Sequence, residues 1–598
     1  MYDMMVIIHK VYASERTANM NRKRTLPIGN DDFAEVRRDN SYYVDKSLMI
    51  KDFLRMNDKV ALIARPRRFG KTINMTMLRE FFDITKDSRV IFKNLAIMDT
   101  EYADQINSRP VIFFTMKDCK GITSNEMLLF VKQQIYQEYF RYEKLLKNKL
   151  TKGSLEADDF YDMIKILRNP QSHHALFTNS IRLLTQVVSN AYGIQPILLI
   201  DEYDQPIISS YEYGYHHETG VFFSNLYGSA MIGNPYLDQA LLTGVQRIAK
   251  ESIFSQFNNA RVYTVLHRQY APYFGLTVSE TETLLAEYGL TLDEWVQKKY
   301  DGYLFGGIEM YNPWSILNYA DIGSLDNYWI NTSSNFLVKK ALKAADHRFW
   351  EDFDRLASGE EIPVWLTLET SYIERDSNYS LWGLLVNSGY LTALRRVDEN
   401  TAVVRIPNDE VMSEFQVLIS ELAGVNGLDL KRMLSCLVNR DMKPFFELYQ
   451  NIVISCTSYT RESNEPSHSS LGFGDCSRAE RTEFVLMDAK ENAYHMLFLG
   501  MCITLRGAYR VTSNIEAGFG RSDITLESLM PSHSHVIIEF KQGDDLERLK
   551  EEALQQVLDQ KYYIGLQGDI ICVGLAHDKK RCEMAFKEIH CEAGRLSG

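Results

Sequence analysis

The fold is decided by the stretch Val60-Ala61-Leu62-Ile63-Ala64-Arg65-Pro66-Arg67-Arg68-Phe69-Gly70-Lys71-Thr72. Its apolar part at 60–64 predicts a buried strand, and the apolar spacing over 73–83 predicts a helix. A loop between a strand and a helix N-terminus aims backbone N–H groups at an anion such as a phosphate. In such a loop, Lys71 would neutralise phosphate charge and the Thr72 hydroxyl would bind Mg²⁺.

The loop departs from the usual phosphate-loop pattern at one position. Arg65 stands where the first glycine of Gly-x-x-x-x-Gly-Lys-[Ser/Thr] is expected. A Gly-Lys-Thr triplet alone also fits an ordinary helix cap. We predict that Phe69 and Gly70 belong to a nucleotide-binding loop. Arg67 and Arg68 would contact the nucleotide, a neighbouring subunit or neither.

Two acids follow another apolar run. The run at 197–200 predicts a strand that ends in Asp201 and Glu202. At this position Asp201 would hold Mg²⁺ through water, and Glu202 would orient and polarise the attacking water. The alternative is that both acids only cap the strand.

The next predicted strand, at 240–244, contains Thr243, whose hydroxyl would sense the γ-phosphate. Arg247 and Lys250 are expected on a following helix. They would supply positive charge to the phosphates or to a neighbour, or they are solvated helix charges.

Predicted strands and helices alternate over the first half of the chain. The strands are expected at 60–64, 110–115, 197–200, 240–244 and 261–266. This alternation predicts an α/β fold with a parallel sheet covered on both faces. The predicted organisation is an extension at 1–25, a nucleotide-binding domain at 26–266, a mainly helical middle or lid domain at 267–454, a Ser-rich linker at 455–481 and a C-terminal α/β domain at 482–598.

Composition limits the class of protein. The chain has 598 residues, and 66 basic against 79 acidic side chains give a net charge of −13, which excludes a strongly basic nucleic-acid coat protein. Eight cysteines without a Cys-x-x-Cys pair argue against a zinc knuckle or a disulfide framework and predict a cytoplasmic protein. No apolar run reaches the ~17–25 residues of a membrane helix, so no membrane partner is expected.

A second constellation of charged residues lies near the C-terminus. The strand predicted at 536–541 carries Glu539 and Lys541, which project to one side because strand side chains alternate. Asp523 precedes it on a strand that a turn would fold back into a hairpin. Two carboxylates on adjacent strands can bind a divalent metal, and a nearby lysine can position or deprotonate water. The alternative is a half-exposed strand with a cross-strand ion pair.

Residues on the flanking helices extend this constellation. Glu491 lies on a predicted preceding helix and would add a metal contact. Gln556 and Tyr562 are expected on the helix after the hairpin, where they would contact backbone or the site.

The motifs resemble those of a known family. The resemblance rests on Leu26-Pro27-Ile28-Gly29, Tyr43-Val44-Asp45-Lys46-Ser47, the stretch from Arg65 to Thr72, Leu199-Ile200-Asp201-Glu202-Tyr203-Asp204, Leu242-Thr243-Gly244 and Tyr300-Asp301-Gly302-Tyr303. These look like the bacterial AAA-ATPase-like family, in which an arginine at the first glycine position is usual. The C-terminal unit, with Asp523 and Glu539-Phe540-Lys541, resembles the PD-(D/E)XK nuclease superfamily.

The resemblance implies an additional-strand P-loop ATPase joined to a restriction-endonuclease-like fold. It implies nucleotide and Mg²⁺ roles for Lys71, Thr72, Asp201 and Glu202. It also implies that the nuclease core consists of Asp523, Glu539 and Lys541.

Two functions of different classes follow. The first is an ATP-binding, Mg²⁺-dependent nuclease that is controlled by nucleotide, acts on DNA ahead of RNA, assembles as a homo-oligomer and serves in defence or mobile-element biology. The second is a nucleotide-gated signalling or scaffold protein whose nuclease-like domain only binds nucleic acid or a partner.

Overall fold

The structure is a computed structural model, and its contacts divide the chain into two compact units. It describes residues 24–151, 153–248, 260–329, 336–343, 345, 347–357, 359–366, 369–370, 378–422, 427–458, 498, 501–502, 505, 509–517, 520–530, 533–578, 581–592 and 595–597. The N-terminal unit comprises the described residues up to 337 together with 363–408, and the C-terminal unit comprises 338–362 and the described residues from 409 onward. Among the described helices, none is both long and apolar enough to cross a bilayer.

The N-terminal unit is built on a five-stranded parallel sheet. Its strands are β1 (Val60–Ala64), β2 (Val111–Thr115), β3 (Ile197–Asp201), β4 (Ala240–Gly244) and, after the short β5 (Arg247–Ile248), β6 (Ala260–Tyr263). The spatial order is β2-β3-β4-β1-β6, and the paired strands run parallel. Strand β4 therefore lies between the strand before the phosphate loop and the strand that ends in Asp201. This is the additional-strand arrangement that the resemblance implies, and the predicted α/β fold class is confirmed.

Helices cover this sheet on both faces. They are α1 (Phe33–Arg38), α2 (Leu48–Met56), α3 (Lys71–Phe82), α4 (Arg89–Phe92), α5 (Ser124–Leu146), α6 (Leu155–Arg168), α7 (Ser180–Tyr192), α8 (Gln205–Glu212) and α9 (His216–Met231). Asp32 and Thr123 cap α1 and α5 by accepting hydrogen bonds from first-turn N–H groups. Strands β1, β3 and β4 are buried along their whole length, which explains their continuous apolar runs.

Smaller elements complete the N-terminal unit. They are β7 (Leu276–Thr277), α10 (Val278–Glu287), α11 (Glu294–Tyr300), β8 (Tyr303–Phe305), β9 (Ile308–Tyr311), α12 (Pro313–Ile322), then β10 (Ile362–Trp365), β11 (Glu369–Thr370), α15 (Asn378–Ser388), β12 (Thr392–Arg396) and β13 (Thr401–Arg405). Between α12 and β10 in sequence, α13 (Phe336–Lys343) crosses the boundary of the two units and α14 (His347–Ala357) belongs to the C-terminal unit. Strand β5 pairs with β11. The prediction that Arg247 lies on a helix is therefore wrong, because its backbone pairs with a strand distant in sequence. Lys250 lies outside the described residues.

The C-terminal unit is a six-stranded mixed sheet with helices on both faces. Its remaining elements are α16 (Asp409–Leu422), α17 (Gly427–Val438), α18 (Met442–Ser458), β14 (Tyr509–Ala517), β15 (Gly520–Ser528), β16 (His535–Gln542), α19 (Leu546–Asp559), β17 (Gly568–Asp578), β18 (Arg581–Glu592) and β19 (Arg595–Ser597). The strands follow their sequence order, and only β16 and β17 run parallel, since α19 connects them. Strands β15 and β16 form the predicted hairpin.

Successive side chains of β16 point to opposite faces of the sheet and contribute to two separate hydrophobic cores. Ile538 and Phe540 pack with residues of α17 and α18, whereas Ile537 packs with Leu554 and Val557 of α19. Glu539 and Lys541 share the parity of Ile537 and therefore lie on the α19 side.

The observed division differs from the predicted domain boundaries. The region predicted as one middle domain, 267–454, is divided between the two units, because 267–337 and 363–408 belong to the N-terminal unit and 338–362 and 409–454 belong to the C-terminal unit. Most of the predicted extension at 1–25 and most of the linker at 455–481 lie outside the described residues.

Candidate functional site: a phosphate loop and a carboxylate–lysine edge

The phosphate loop begins where β1 ends and finishes at the first residue of α3. Gly70 caps α3 with a φ of +79°, a backbone conformation that favours glycine. Lys71 is buried, and its Nζ donates hydrogen bonds to the carbonyl oxygens of Arg65 (3.1 Å) and Pro66 (2.9 Å). Burial lowers the pKa of Lys71. The lysine therefore lies inside the loop. Its Nζ donates to two loop carbonyl oxygens, and a bound phosphate would take their place as acceptor.

Arg65 stabilises the start of the loop through buried contacts. Its side chain is fully buried, and Nη1 donates to the carbonyl oxygens of Ala64 (2.8 Å) and Tyr263 (3.0 Å). The guanidinium lies 5.4 Å from the ring centre of Phe274 and 5.5 Å from that of Phe305. Burial lowers its pKa to about 9. Arg65 thus joins the ends of β1 and β6, and it replaces the expected glycine for a structural reason.

This geometry predicts that Arg65→Ala destabilises the protein. The substitution leaves buried carbonyls without donors and opens a cavity, so we expect the free energy of unfolding to fall by about 3–5 kcal/mol. Urea unfolding measures the change. Arg67→Ala is the matched control, because Arg67 is only half-buried and lines the neighbouring cavity. Equal stability of Arg65→Ala and wild type would contradict the structural role.

Aromatic contacts fix the remaining loop residues. Phe69 is buried, with its ring centre 5.0 Å from those of Tyr303 and Phe305. Arg68 has a φ of +69°, and its guanidinium lies 4.1 Å from the ring centre of Trp314. Segments distant in sequence therefore hold the conformation of the loop.

The two acids predicted at the end of β3, Asp201 and Glu202, are called the acid edge here, and Asp201 contacts the loop directly. The Thr72 hydroxyl donates to Asp201 Oδ2 (2.8 Å), and the Thr243 hydroxyl donates to Asp201 Oδ1 (2.6 Å). Asp201 is fully buried, and desolvation, reinforced by the charge of Glu202, raises its pKa to about 6. Glu202 has a φ of +50°, a strained conformation that is typical of functional positions. The structure thus joins Thr72, Asp201 and Thr243 in one hydrogen-bonded group.

Asp204 is a further acid that the sequence reasoning did not single out. It is buried, and its Oδ2 accepts hydrogen bonds from the backbone N–H groups of Val245 and Gln246, both at 2.8 Å. A Cβ on Gly244 would lie 2.7 Å from Asp204 Oδ1. Asp204 therefore holds the turn after β4 close to the acid edge, and Gly244 makes the close approach possible.

A cavity of about 360 Å³ opens onto the loop and the acid edge. Its lining includes five of the predicted loop residues, Arg67, Arg68, Phe69, Gly70 and Lys71, together with Thr72 and Glu202. It also includes residues that the sequence reasoning missed, namely Lys117, Lys120, Gln205, Asn74 and Trp314. Most of these lie far from the loop in sequence, and only the sheet topology brings them together.

These residues fit a nucleotide with Mg²⁺. Lys71 and the N-terminus of α3 supply positive groups for phosphates, and Thr72 with Asp201 supplies the hydroxyl and carboxylate oxygens that Mg²⁺ prefers. The hydrogen bond between Thr72 and Asp201 places the two oxygens 2.8 Å apart, close enough for one cation to bind both. The apolar part of the lining, with Pro27, Leu276 and Leu317, suits a base.

The carboxylate–lysine constellation of the C-terminal unit is assembled as predicted. Asp523 Oδ2 accepts from the Phe540 N–H (2.8 Å), and Glu539 Oε2 accepts from the Asp523 N–H (3.4 Å). Lys541 Nζ lies 3.8 Å from Glu539 Oε1. The acids on β15 and β16 and the lysine therefore lie together on the α19 side of the sheet, and this group is called the carboxylate–lysine edge. Two carboxylates with a lysine beside them suit a divalent cation and a water.

Gln556 and Tyr562 complete this edge. Gln556 on α19 donates to Glu539 Oε1, and it also donates to the Tyr562 hydroxyl at 3.2 Å. Glu539 is only 2% exposed, so these partners stabilise a carboxylate that is removed from water. The prediction that Tyr562 lies on this helix is wrong, because α19 ends at Asp559 and Tyr562 follows in the loop.

The predicted Glu491 contact lies outside the described residues. Within the part of the chain that the structure describes, no group of three or more His, Cys, Asp or Glu side chains could hold a metal ion. The described part of the edge thus offers two acidic residues, Asp523 and Glu539.

A buried histidine lies on the opposite face of the C-terminal sheet. His577 Nε2 is 2.8 Å from the Tyr449 hydroxyl, and its ring stacks on Phe540 at a centroid distance of 5.7 Å. Desolvation lowers the pKa of His577 to about 3 from its ordinary value of 6.5. Protonation is thus disfavoured in the folded state, so the stability is complete above pH 6.5 and is lost as the pH falls toward 3.

We therefore predict an acid-sensitive C-terminal unit. Each pH unit below 6.5 costs about 1.4 kcal/mol, so the free energy of unfolding at pH 5 should be about 2 kcal/mol lower on account of His577 alone. The measurement is denaturant unfolding at pH 7 and pH 5 for wild type and His577→Gln, which accepts from Tyr449 but does not titrate. The variant should lose less stability between the two pH values; equal losses would contradict the assignment.

Both candidate sites lie within stretches of the chain that match family models. Residues 27–254 match the family model described as a predicted AAA-ATPase, and residues 489–587 match that of the PD-(D/E)XK nuclease superfamily. The chain carries an AAA-ATPase-like domain and a PD-(D/E)XK nuclease superfamily domain. The phosphate loop and acid edge lie in the AAA-ATPase-like domain, and Asp523, Glu539 and Lys541 lie in the nuclease superfamily domain. The resemblance stated from the motifs is confirmed.

One curated relative overlaps much of the chain. Over 339 residues the chain is 27% identical to a protein of Azotobacter chroococcum mcd 1 described as an uncharacterized protein in the vnfD 5′ region. The match covers 53% of this chain and 56% of that protein, so the chain spans about half the length of this relative. No solved structure matches the chain.

Proposed function

We propose that this chain is an ATP-binding, Mg²⁺-dependent nuclease that cuts nucleic acid under the control of nucleotide. The observation that carries the proposal is the meeting of Asp523, Glu539 and Lys541 at one edge of a nuclease superfamily domain. The AAA-ATPase-like domain of the same chain supplies the nucleotide site. DNA is the proposed substrate ahead of RNA.

In the AAA-ATPase-like domain, each residue has a distinct proposed task. Lys71 exchanges its two carbonyl partners for phosphate oxygens. Thr72 and Asp201 hold Mg²⁺, which neutralises phosphate charge when it is bound. Glu202, at the edge of the cavity, orients the water that attacks the γ-phosphate. Thr243 senses that phosphate through its bond to Asp201.

In the nuclease superfamily domain, Asp523 and Glu539 hold the cation, and Glu491 is proposed to add a contact. When bound, the cation supplies charge stabilisation for phosphodiester hydrolysis. Lys541 positions the attacking water or takes its proton. Gln556 keeps Glu539 oriented by donating to one carboxylate oxygen.

The proposed control acts through assembly. ATP binding would favour a homo-oligomer in the cytoplasm, and that assembly would license cutting. We place this activity in defence or mobile-element biology, where a nuclease must stay inactive until it is triggered. The net charge of −13 supports local rather than extended contact with nucleic acid.

The test is a cleavage assay with wild type and Asp523→Ala on single- and double-stranded DNA and RNA, with Mg²⁺, with and without ATP. We expect wild type to cut DNA in the presence of ATP and Mg²⁺, and the variant to be inactive. If all four substrates remain intact while wild type binds ATP, the nuclease half of the proposal fails.

A second function is favoured by one observation. The described part of the edge contains two acids and no group of three potential metal ligands. A nucleotide-gated signalling or scaffold protein would use such an edge to bind nucleic acid or a partner without cutting. Under this alternative, Lys541→Ala would leave function unchanged, whereas under the first it abolishes cutting and spares binding.

A further inference from the structure

Asn74 presents a buried hydrogen-bond acceptor in the wall of the nucleotide cavity. It lies on α3, two residues after Thr72, and only 1% of it is exposed. Asn74 lines the cavity, and its Oδ1 is buried without a hydrogen-bond partner. A buried amide oxygen without a donor is costly, so the site gains when a ligand supplies one.

The orientation of this amide is fixed. Asn74 Nδ2 donates to the carbonyl oxygen of Tyr273 at 2.8 Å. The flipped amide would place two acceptor oxygens against each other, so Oδ1 is the atom left for the ligand. Tyr273 also lines the cavity, which keeps the amide beside the ligand space.

The neighbouring wall suits a nucleobase. Gly275, Leu276, Leu284, Leu317 and Trp314 line the cavity together with Asn74. Apolar walls bind the faces of any purine alike, so discrimination requires a polar group at the edge of the base. Purines differ in the hydrogen-bonding group at the 6-position. Adenine carries an amino donor there, whereas hypoxanthine and guanine carry an oxygen acceptor.

We propose that Asn74 Oδ1 accepts a hydrogen bond from the 6-amino group of adenine and thereby selects ATP over 6-oxo purine nucleotides. This inference rests on the proposed nucleotide binding. Asn74 is a specificity-determining residue of the same site. A 6-oxo purine leaves Oδ1 unpaired and opposes it with a second acceptor.

The experiment compares ATP with inosine triphosphate, which has an oxygen in place of the 6-amino group and a hydrogen on N1, and which lacks the 2-amino group of guanine. Calorimetry with full-length wild type should show ATP binding at least about 10-fold tighter, as expected for a buried acceptor left unpaired. Asn74→Leu has a similar volume but no acceptor. In this variant the two affinities should agree within about 2-fold, chiefly through weaker ATP binding.

Further measurements distinguish a contact of Asn74 with the base from a contact with the ribose. If Asn74 instead bonds a ribose hydroxyl, wild type should bind 2′-deoxy-ATP or 3′-deoxy-ATP more weakly than ATP, and Asn74→Leu should abolish that difference. The variant would then keep the preference for ATP over inosine triphosphate, and this result would overturn the proposal. A thermal melt checks folding of the variant. If Asn74→Leu does not fold, the wild-type ratio decides, and a ratio near one overturns the proposal. Failure of wild type to bind any of the four nucleotides would refute the proposed nucleotide site as well.

Discussion

Asp523→Asn is expected to reduce nucleic-acid cleavage by at least about 100-fold in the presence of Mg²⁺ and ATP. Metal-assisted charge stabilisation contributes several kcal/mol to such a reaction, and each 1.36 kcal/mol corresponds to a factor of ten in rate. Asn keeps an oxygen that accepts from the Phe540 N–H, so the hairpin of β15 and β16 is retained. The loss is therefore a loss of charge rather than of fold.

The measurement is the initial rate of cleavage of a labelled double-stranded DNA at matched protein concentration. Glu551→Gln is the matched control, because Glu551 is an exposed carboxylate of α19 in the same unit. The control should cut at the wild-type rate. Cleavage by Asp523→Asn within about 3-fold of wild type would show that the metal-binding carboxylate lies elsewhere.

Lys541→Ala separates cutting from binding. Lys541 is partly exposed, and its Nζ lies 3.8 Å from Glu539 Oε1, so its removal leaves both acids and their backbone contacts in place. We expect the cleavage rate to fall at least as far as in Asp523→Asn while the affinity for DNA changes little. A binding assay on uncut DNA in Ca²⁺ measures the second quantity. An unchanged cleavage rate would favour the scaffold alternative.

Lys71→Ala is expected to weaken ATP binding by about 3 kcal/mol, on the order of 100-fold. Lys71 is buried inside the phosphate loop, where a charged hydrogen bond to phosphate contributes about 1.5–3 kcal/mol. The variant also removes the two bonds to loop carbonyls, so part of the effect is a less ordered loop. Calorimetric titration with ATP and Mg²⁺ gives the affinity.

The control for this variant is Lys93→Ala. Lys93 is exposed and does not line the cavity, so its removal changes the net charge equally without touching the loop. It should bind ATP with wild-type affinity. Equal ATP affinity of Lys71→Ala and wild type would refute the phosphate-loop assignment.

Local patterns in the sequence predicted several of the elements that carry the candidate site residues. The apolar runs that end in the loop and in Asp201 are strands because they are buried on both faces. The i, i+2 spacing of Glu539 and Lys541 placed both on one side of β16, and the spacing to Asp523 indicated the hairpin. These inferences need only local periodicity and short turns.

Contacts between distant segments were not predictable in the same way. The structural role of Arg65 could not be inferred from the loop sequence. Its partner Tyr263 and its neighbour Phe305 lie far along the chain. From the sequence, Arg247 is expected on a helix, because nothing in the nearby sequence indicates that β5 pairs with β11. The cavity residues Lys117 and Trp314 come from loops and helices that only the tertiary fold brings to the site.

We propose that nucleotide in the AAA-ATPase-like domain controls cutting by the nuclease superfamily domain. The most direct measurement is the rate of DNA cleavage as a function of ATP concentration, at fixed Mg²⁺, for wild type and Lys71→Ala. The proposal predicts that the wild-type rate changes with ATP and that Lys71→Ala requires on the order of 100-fold more ATP for the same change. Cleavage by wild type that is equal with and without ATP, or the same ATP response in both proteins, would contradict it.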